Sequence, residues 1–337
     1  MDKQTIENQN APKAIIFISN IVKNSETVFT NFNNNFLAFK TVNNLYLLIY
    51  IKQYQKSIIS YDLINNKKIN EIKNAHEDDI SQLKNFYDKI ENRDLMISTS
   101  LVKIKLWNIS NMECLYNFIN NKIEGFTFTA CFLTYNNRNY IITTRDVEDA
   151  SMKIYDFKGN LIKKINYSSQ KLFIDAFQDK KLSKNFIIFA SNKDVKSYDI
   201  NKNELFHVYS DYKKQKFNNQ FKIVNVLINN EEDIVKLIFI NSESLIRIFD
   251  FYAGTLLNII DFTNRINDIC LWNWQFLFIA QNINFLLFDL KNEEIVNEIK
   301  IAKKGNVINI KKLFLPKYGN CLILQYKKGI IKLFIVK

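Results

Sequence analysis

One triplet recurs along this chain and limits what it can fold into. It is an aromatic, a small polar residue and then an aliphatic or aromatic residue. It stands at Tyr61-Asp62-Leu63, Trp107-Asn108-Ile109, Tyr155-Asp156-Phe157, Tyr198-Asp199-Ile200, Phe249-Asp250-Phe251 and Phe288-Asp289-Leu290, and in degraded form at Phe334-Ile335-Val336. Successive aromatic positions lie 46, 48, 43, 51, 39 and 46 residues apart. Around Trp107 an alternating run through Val102, Ile104 and Leu106 enters the triplet, and a short polar turn follows. A second run then takes in Cys114, Leu115 and Phe118. Two such runs about a short polar loop predict a β-hairpin. A period near 45 with several short strands per unit predicts an all-β propeller, one unit to each blade.

On these residues the chain resembles the WD40-repeat (G-beta-like) family. The likeness is carried by Ile104-Lys105-Leu106-Trp107-Asn108, by Ile246-Arg247-Ile248-Phe249-Asp250, and by His76, which lies 31 residues before Trp107 as the family's Gly-His lies before its Trp-Asp. It covers roughly residues 14 to 337. The resemblance implies a seven-bladed propeller closed by the N-terminal strand pairing with the last blade. It also implies a hydrogen-bonded network inside a blade, made by a His, a Ser or Thr, the Trp and a turn Asp. Blade 2 offers His76, Ser98 or Thr99, and Trp107, with Thr99 taken as the hydroxyl. The turn-Asp position, six residues before the aromatic, holds Leu101 in blade 2, Asp149 in blade 3 and Glu243 in blade 5. The network is incomplete in every blade, so cohesion is expected mainly from apolar burial between blades.

Length alone leaves room for two domains, but the unbroken period argues for one propeller over residues 13–337 after a disordered tail at 1–12. Hydrophobic residues make up 47% of the chain, with 28 Phe and 16 Tyr, so core material is ample. There are only 6 Gly and 2 Pro, and Asn takes over many turns because it tolerates the left-handed region and caps its own turn. The four cysteines, Cys114, Cys131, Cys270 and Cys321, form no CxxC pair, which points to buried reduced thiols rather than zinc or redox chemistry. The N-terminus has no signal-peptide core. The longest apolar run, Leu45 to Ile51, is too short to span a bilayer. A cytoplasmic protein without membrane insertion is therefore expected.

The blades are placed by the triplets. Lys13 to Ser19 is expected to complete blade 7 beside Ile330 to Lys337, because closure removes exposed sheet edges. Blade 1 runs to Ile72, and blade 2 covers 76–119, blade 3 124–167, blade 4 170–210. Blade 5 reaches 261 after a long entry loop, blade 6 covers 264–299 and blade 7 305–337.

Catalytic material is sparse. Of 2 histidines, His76 belongs to the implied network and His207 reads as an exposed outer-strand residue. No nucleophile elbow or glycine-rich phosphate loop occurs. The acids Glu77-Asp78-Asp79 and Asp146, Glu148, Asp149 lack a recognisable ligand spacing. No catalytic, cofactor or metal residues are assigned, and the chain is not read as an enzyme. One subfamily of propellers binds phosphoinositides through paired arginines after blade 5; Ile260 to Arg265 lacks them, so lipid binding is not expected.

Charge is more informative. The net is +12, and residues 301–337 hold nine Lys with no Asp or Glu. Lys303 and Lys304, in the loop entering blade 7, and Lys327 and Lys328, in its middle loop, are the candidate partner surface. Lys213, Lys214 and Lys216 of the blade-5 entry loop extend it. Such a patch attracts acidic protein surfaces or nucleic acid. The leading reading is a non-catalytic protein–protein interaction scaffold; the alternative is a propeller associated with RNA or the ribosome. The sequence names no individual partner and sets no oligomeric state.

Overall fold

The computed structural model describes residues 15–22, 36–52, 56–119, 128–145, 151–166, 173–179, 182–190, 194–210, 223–229, 234–240, 244–281, 284–300, 307–326 and 330–336. The N-terminal strand is β1 (Ile15–Val22). Blade 1 holds β2 (Phe36–Lys40), β3 (Tyr46–Lys52), β4 (Ser57–Asp62) and β5 (Lys67–Ile72). Blade 2 holds β6 (Ile80–Asp88), β7 (Arg93–Ser100), β8 (Lys103–Asn108) and β9 (Glu113–Ile119). Blade 3 holds β10 (Phe128–Tyr135), β11 (Arg138–Arg145), β12 (Ser151–Asp156) and β13 (Leu161–Asn166). Blade 4 holds β14 (Phe173–Asp179), β15 (Lys184–Ala190), β16 (Val195–Asp199) and β17 (Glu204–Tyr209). Blade 5 holds β18 (Ile223–Asn229), β19 (Ile234–Ile240), β20 (Leu245–Asp250) and β21 (Leu256–Asp261). Blade 6 holds β22 (Ile266–Leu271), β23 (Phe276–Gln281), β24 (Asn284–Asp289) and β25 (Glu294–Lys300). Blade 7 holds β26 (Val307–Leu315), β27 (Gly319–Tyr326) and β28 (Ile331–Val336), with β1 as its fourth strand.

Seven four-stranded antiparallel sheets, with no helix among the described residues, make the fold class a seven-bladed β-propeller. The N-terminal strand ends at Val22, three residues beyond the expected Ser19, and pairs antiparallel with β28 from Ile15↔Val336 to Val22↔Ile331. The chain forms two compact units, one of residues 1–29 with 262–337 and one of residues 30–261. The larger unit contains blades 1 to 5 and the smaller one blades 6 and 7.

Burial follows position in the blade. Second strands are covered on both faces and read as unbroken apolar runs, as in β3 (YLLIYIK) and β23 (FLFIAQ). Fourth strands carry mixed sequence and stay open, as in β13 and β21. Within the larger unit, neighbouring blades share apolar layers. Leu47, Ile49, Met96 and Trp107 join blades 1 and 2, and Ile97, Leu106, Phe132 and Ile141 join blades 2 and 3. Ile142, Ile154, Ile187 and Phe189 join blades 3 and 4, and Phe186, Ile188, Leu237 and Phe239 join blades 4 and 5. In the smaller unit, Phe278, Leu287, Leu322 and Leu324 do the same for blades 6 and 7.

The recurring triplet acquires a physical meaning in the turn between third and fourth strands. Oδ1 of Asp62, Asp199, Asp250 and Asp289 each accepts the backbone N–H two and three residues on, at 2.8–3.1 Å. Asp156 Oδ1 accepts from Lys158 and Asn160, and Asn108 Oδ1 from Ser110. The small polar residue is thus a turn cap, the role in which Asp and Asn excel. The same turns place Asn66, Met112, Gly159, Asn203, Gly254 and Glu293 at positive φ. Each is followed by a bulge, so that the triplet aromatic faces two fourth-strand residues. Ile69, Leu115, Ile162, Phe206, Leu257 and Val296 are the unpaired ones. This is the tight turn closed by a left-handed residue and a bulge that joins twisted strands without splaying them. At Gly159 the need for glycine is steric as well, since a Cβ there would lie 1.9 Å from the Tyr116 ring.

Candidate functional site

The residues expected to form the blade-2 network come from three elements. His76 lies in the turn before β6, Ser98 on β7 and Trp107 on β8. His76 Nε2 and Ser98 Oγ stand 2.6 Å apart, and the Trp107 indole N–H donates to the same Oγ at 2.7 Å. The hydroxyl is Ser98's rather than Thr99's. Thr99 points to the other face of the sheet, where its Oγ1 lies 2.8 Å from Ser81 Oγ. The reason is strand alternation: Met96 is paired with Trp107, so residue 98 shares the tryptophan's face and residue 99 does not. His76 Nδ1 is buried without a hydrogen-bond partner among the described residues. This matches Leu101 standing, exposed, where a turn acid would be needed.

Burial, aided by Lys105 and Lys103, lowers the His76 pKa from 6.5 to about 3. The imidazole is therefore neutral in the folded protein over the ordinary pH range. A depressed histidine pKa contributes stability above the unfolded value, which is lost as pH falls from about 6.5 towards 3. Buried Asp268 on β22 acts in the opposite sense. Burial raises its pKa to about 6, although it accepts hydrogen bonds from Ile269 and Ile310 N–H. Its contribution is present below the ordinary value of 3.8 and fades as pH rises through about 6. Urea titrations from pH 7 to 4 are expected to show His76→Gln losing less stability on acidification than wild type. The difference is on the order of a few kcal/mol. Parallel profiles for the two proteins would contradict the buried neutral histidine.

Asp149 lies outside the described residues, as do Lys213, Lys214, Lys216, Lys303, Lys304, Lys327 and Lys328. His207 departs from the exposed position expected: it is half-buried on β17, and its Nε2 lies 2.5 Å from the Tyr252 carbonyl oxygen of the next blade. The cysteines are all free, and Cys131 and Cys321 are buried, but Cys114 is exposed on β9. Burial pushes the Cys270 and Cys321 thiols up to about 11, far from a reactive thiolate. Among the described residues no group of three or more His, Cys, Asp or Glu is placed to hold a metal ion. No helix there is long and apolar enough to cross a membrane.

Sequence reasoning missed a cleft between blades 1 and 2. Its volume is about 120 Å³, and it opens where the β2–β3 turn meets the turns on either side of the blade-2 middle strands. Leu45, Leu47, Ile69, Ile109 and Met112 give it apolar walls. Asp94, at the start of β7, lines it while only 8% exposed. Asp94 Oδ2 accepts the Val42 N–H at 2.7 Å, and burial raises its pKa despite that bond. The signal available in the sequence was weak: one acid directly before the apolar run Leu95-Met96-Ile97. A second, wider cavity of about 370 Å³ between the turns of blades 3 and 4 is lined only by neutral amides and hydroxyls, among them Asn137, Gln178 and Asn185.

Neither protein-family models nor curated protein sequences match the chain. Solved structures do. The crystal structure of BBS1N in complex with ARL6DN superposes with a TM-score of 0.72 at 10% identity, covering 96% of this chain and 97% of that one. Raptor from Chaetomium thermophilum gives 0.68 at 10% identity over 96% of this chain, which corresponds to 30% of Raptor. At such identity the likeness speaks for the fold, and it places this chain beside other propeller proteins over almost its whole length.

Proposed function

We propose that this chain is a non-catalytic protein–protein interaction scaffold of the WD40 type, working in the cytoplasm. The observation that carries the reading is the propeller fold shared, nearly end to end, with BBS1N, whose structure is a complex with a second protein. The WD40 assignment is supported by the His76–Ser98–Trp107 contacts inside blade 2. Capped, bulged turns join the third and fourth strands of blades 1 to 6, and rigid turns of this kind suit a binding surface assembled from separate loops. The inventory of reactive groups favours binding over catalysis: one histidine is locked neutral in a core and the other holds a neighbouring blade. The lysines at 303, 304, 327 and 328, with those at 213, 214 and 216, are proposed as the main electrostatic contact for acidic partners.

Affinity purification from native cells tests this reading. Wild type is expected to retain a reproducible set of proteins. The variant carrying Lys303→Glu, Lys304→Glu, Lys327→Glu and Lys328→Glu is expected to lose them while its melting temperature barely moves. Retention of the same set by the reversed variant removes the lysines from the proposal. A wild type that retains no protein removes the scaffold.

A further inference from the structure

The cleft between blades 1 and 2 has a chemistry that the general scaffold reading does not supply. We infer that it is a receptor pocket for a single basic side chain, lysine or arginine, of a partner protein, with the Asp94 carboxylate as its counter-ion. This rests on the scaffold reading and names the chemistry of one contact within it.

Three observations converge. Asp94 is more than nine-tenths buried and lines the cavity, and the one hydrogen bond to its carboxylate among the described residues is the Val42 N–H on Oδ2. A buried carboxylate costs free energy unless a cation or further donors meet it. The arginine among the residues lining the cleft already has partners: Arg93 pairs with Glu91 at 2.8 Å and with Asp88 at 3.4 Å. Among the described residues no cation is paired with this carboxylate, which stands at a cavity wall. The rest of the wall suits the stem of a basic side chain. Leu47, Ile109 and Met112 are buried apolar surface, and Ile69 is 45% exposed at the mouth. Lysine and arginine lay their methylenes along apolar surface and carry the charge to a polar end. An acidic or purely aliphatic side chain would leave Asp94 repelled or unpaired. The acceptor and the frame around it are fixed, because the Asp94 carbonyl also receives the Ile109 N–H at 3.0 Å.

The test uses the full chain with methyl-labelled Ile and Met. The probes are three blocked amino acids, the N-acetyl methylamides of lysine, arginine and norleucine. The lysine and arginine probes are expected to bind with dissociation constants on the order of millimolar and to shift the Met112 and Ile109 methyl signals. Norleucine, which has the stem without the charge, is expected to bind about tenfold more weakly or worse. Asp94→Asn keeps an acceptor for Val42 and is expected to abolish the difference between lysine and norleucine. Ser110→Trp, at the exposed rim, plugs the mouth without touching the core and is expected to block all three probes. Equal binding of lysine and norleucine, shifts away from Met112 and Ile109, or an Asp94→Asn protein that still prefers lysine would each overturn the pocket. Those outcomes leave the scaffold standing if affinity purification still recovers partners; a wild type that recovers none fails the scaffold on its own account.

Discussion

Trp107→Ala is expected to destabilise the protein by about 3–5 kcal/mol in urea titrations, the range for deleting a large buried aromatic. Trp107 is 4% exposed and packs with Leu47, Ile49 and Met96 in the layer joining blades 1 and 2. Its truncation opens a cavity in that layer and removes the indole N–H from Ser98, leaving Ser98 Oγ and His76 to each other in a buried site. An unmatched buried polar group adds to the cost. Lys105, whose Nζ lies 5.5 Å from the indole centroid, loses a cation–π partner as well. Lys317→Ala is the control. Lys317 sits exposed in the β26–β27 turn beside the Tyr318 ring, and its truncation is expected to stay within about 0.5 kcal/mol. Equal shifts of the two midpoints would show that the inside and outside of the blades are wrongly assigned.

Removal of residues 1–22 is expected to be as damaging by a different route. It strips β1 from the last blade and leaves β28 as an exposed edge. An open edge strand of sequence Ile-Lys-Leu-Phe-Ile-Val is a template for association. The truncated chain is expected to aggregate, or to melt about 10 °C or more below wild type. A synthetic peptide covering residues 13–22 is expected to restore solubility by adding the missing strand in trans. A truncated protein that stays monomeric with an unchanged melting temperature would mean that β1 contributes nothing to closing the blade.

The propeller was legible in the sequence because its two strongest determinants are periodic. Buried second strands read as unbroken apolar runs, and the triplet marks the end of every third strand but the last in the same way. What the triplet does was not legible. The Asp looked like part of a family signature, and only the backbone shows that it caps a turn whose left-handed residue varies among Asn, Met, Gly and Glu. The choice between Ser98 and Thr99 was closed to sequence reasoning for a definite reason. Neighbouring strand residues face opposite ways, and the register that decides which one meets Trp107 depends on pairing. In the sequence Asp94 is one acid before an apolar run, with nothing local to mark it as buried. Its burial comes from the β2–β3 turn of another blade, through Val42, 52 residues away. His207 reads as exposed for the same kind of reason, since the carbonyl that holds it belongs to Tyr252, 45 residues on. Contacts made between blades leave no mark in a local pattern.

Direct binding of proteins by this propeller is the proposed function. It is tested by affinity purification from native cells at increasing salt, with and without nuclease. The same proteins are expected to remain after nuclease treatment, with only a gradual loss across the salt series. A protein set that vanishes on nuclease treatment, with RNA retained beforehand and released steeply as salt rises, would contradict it, because such a slope records the release of counterions from phosphates.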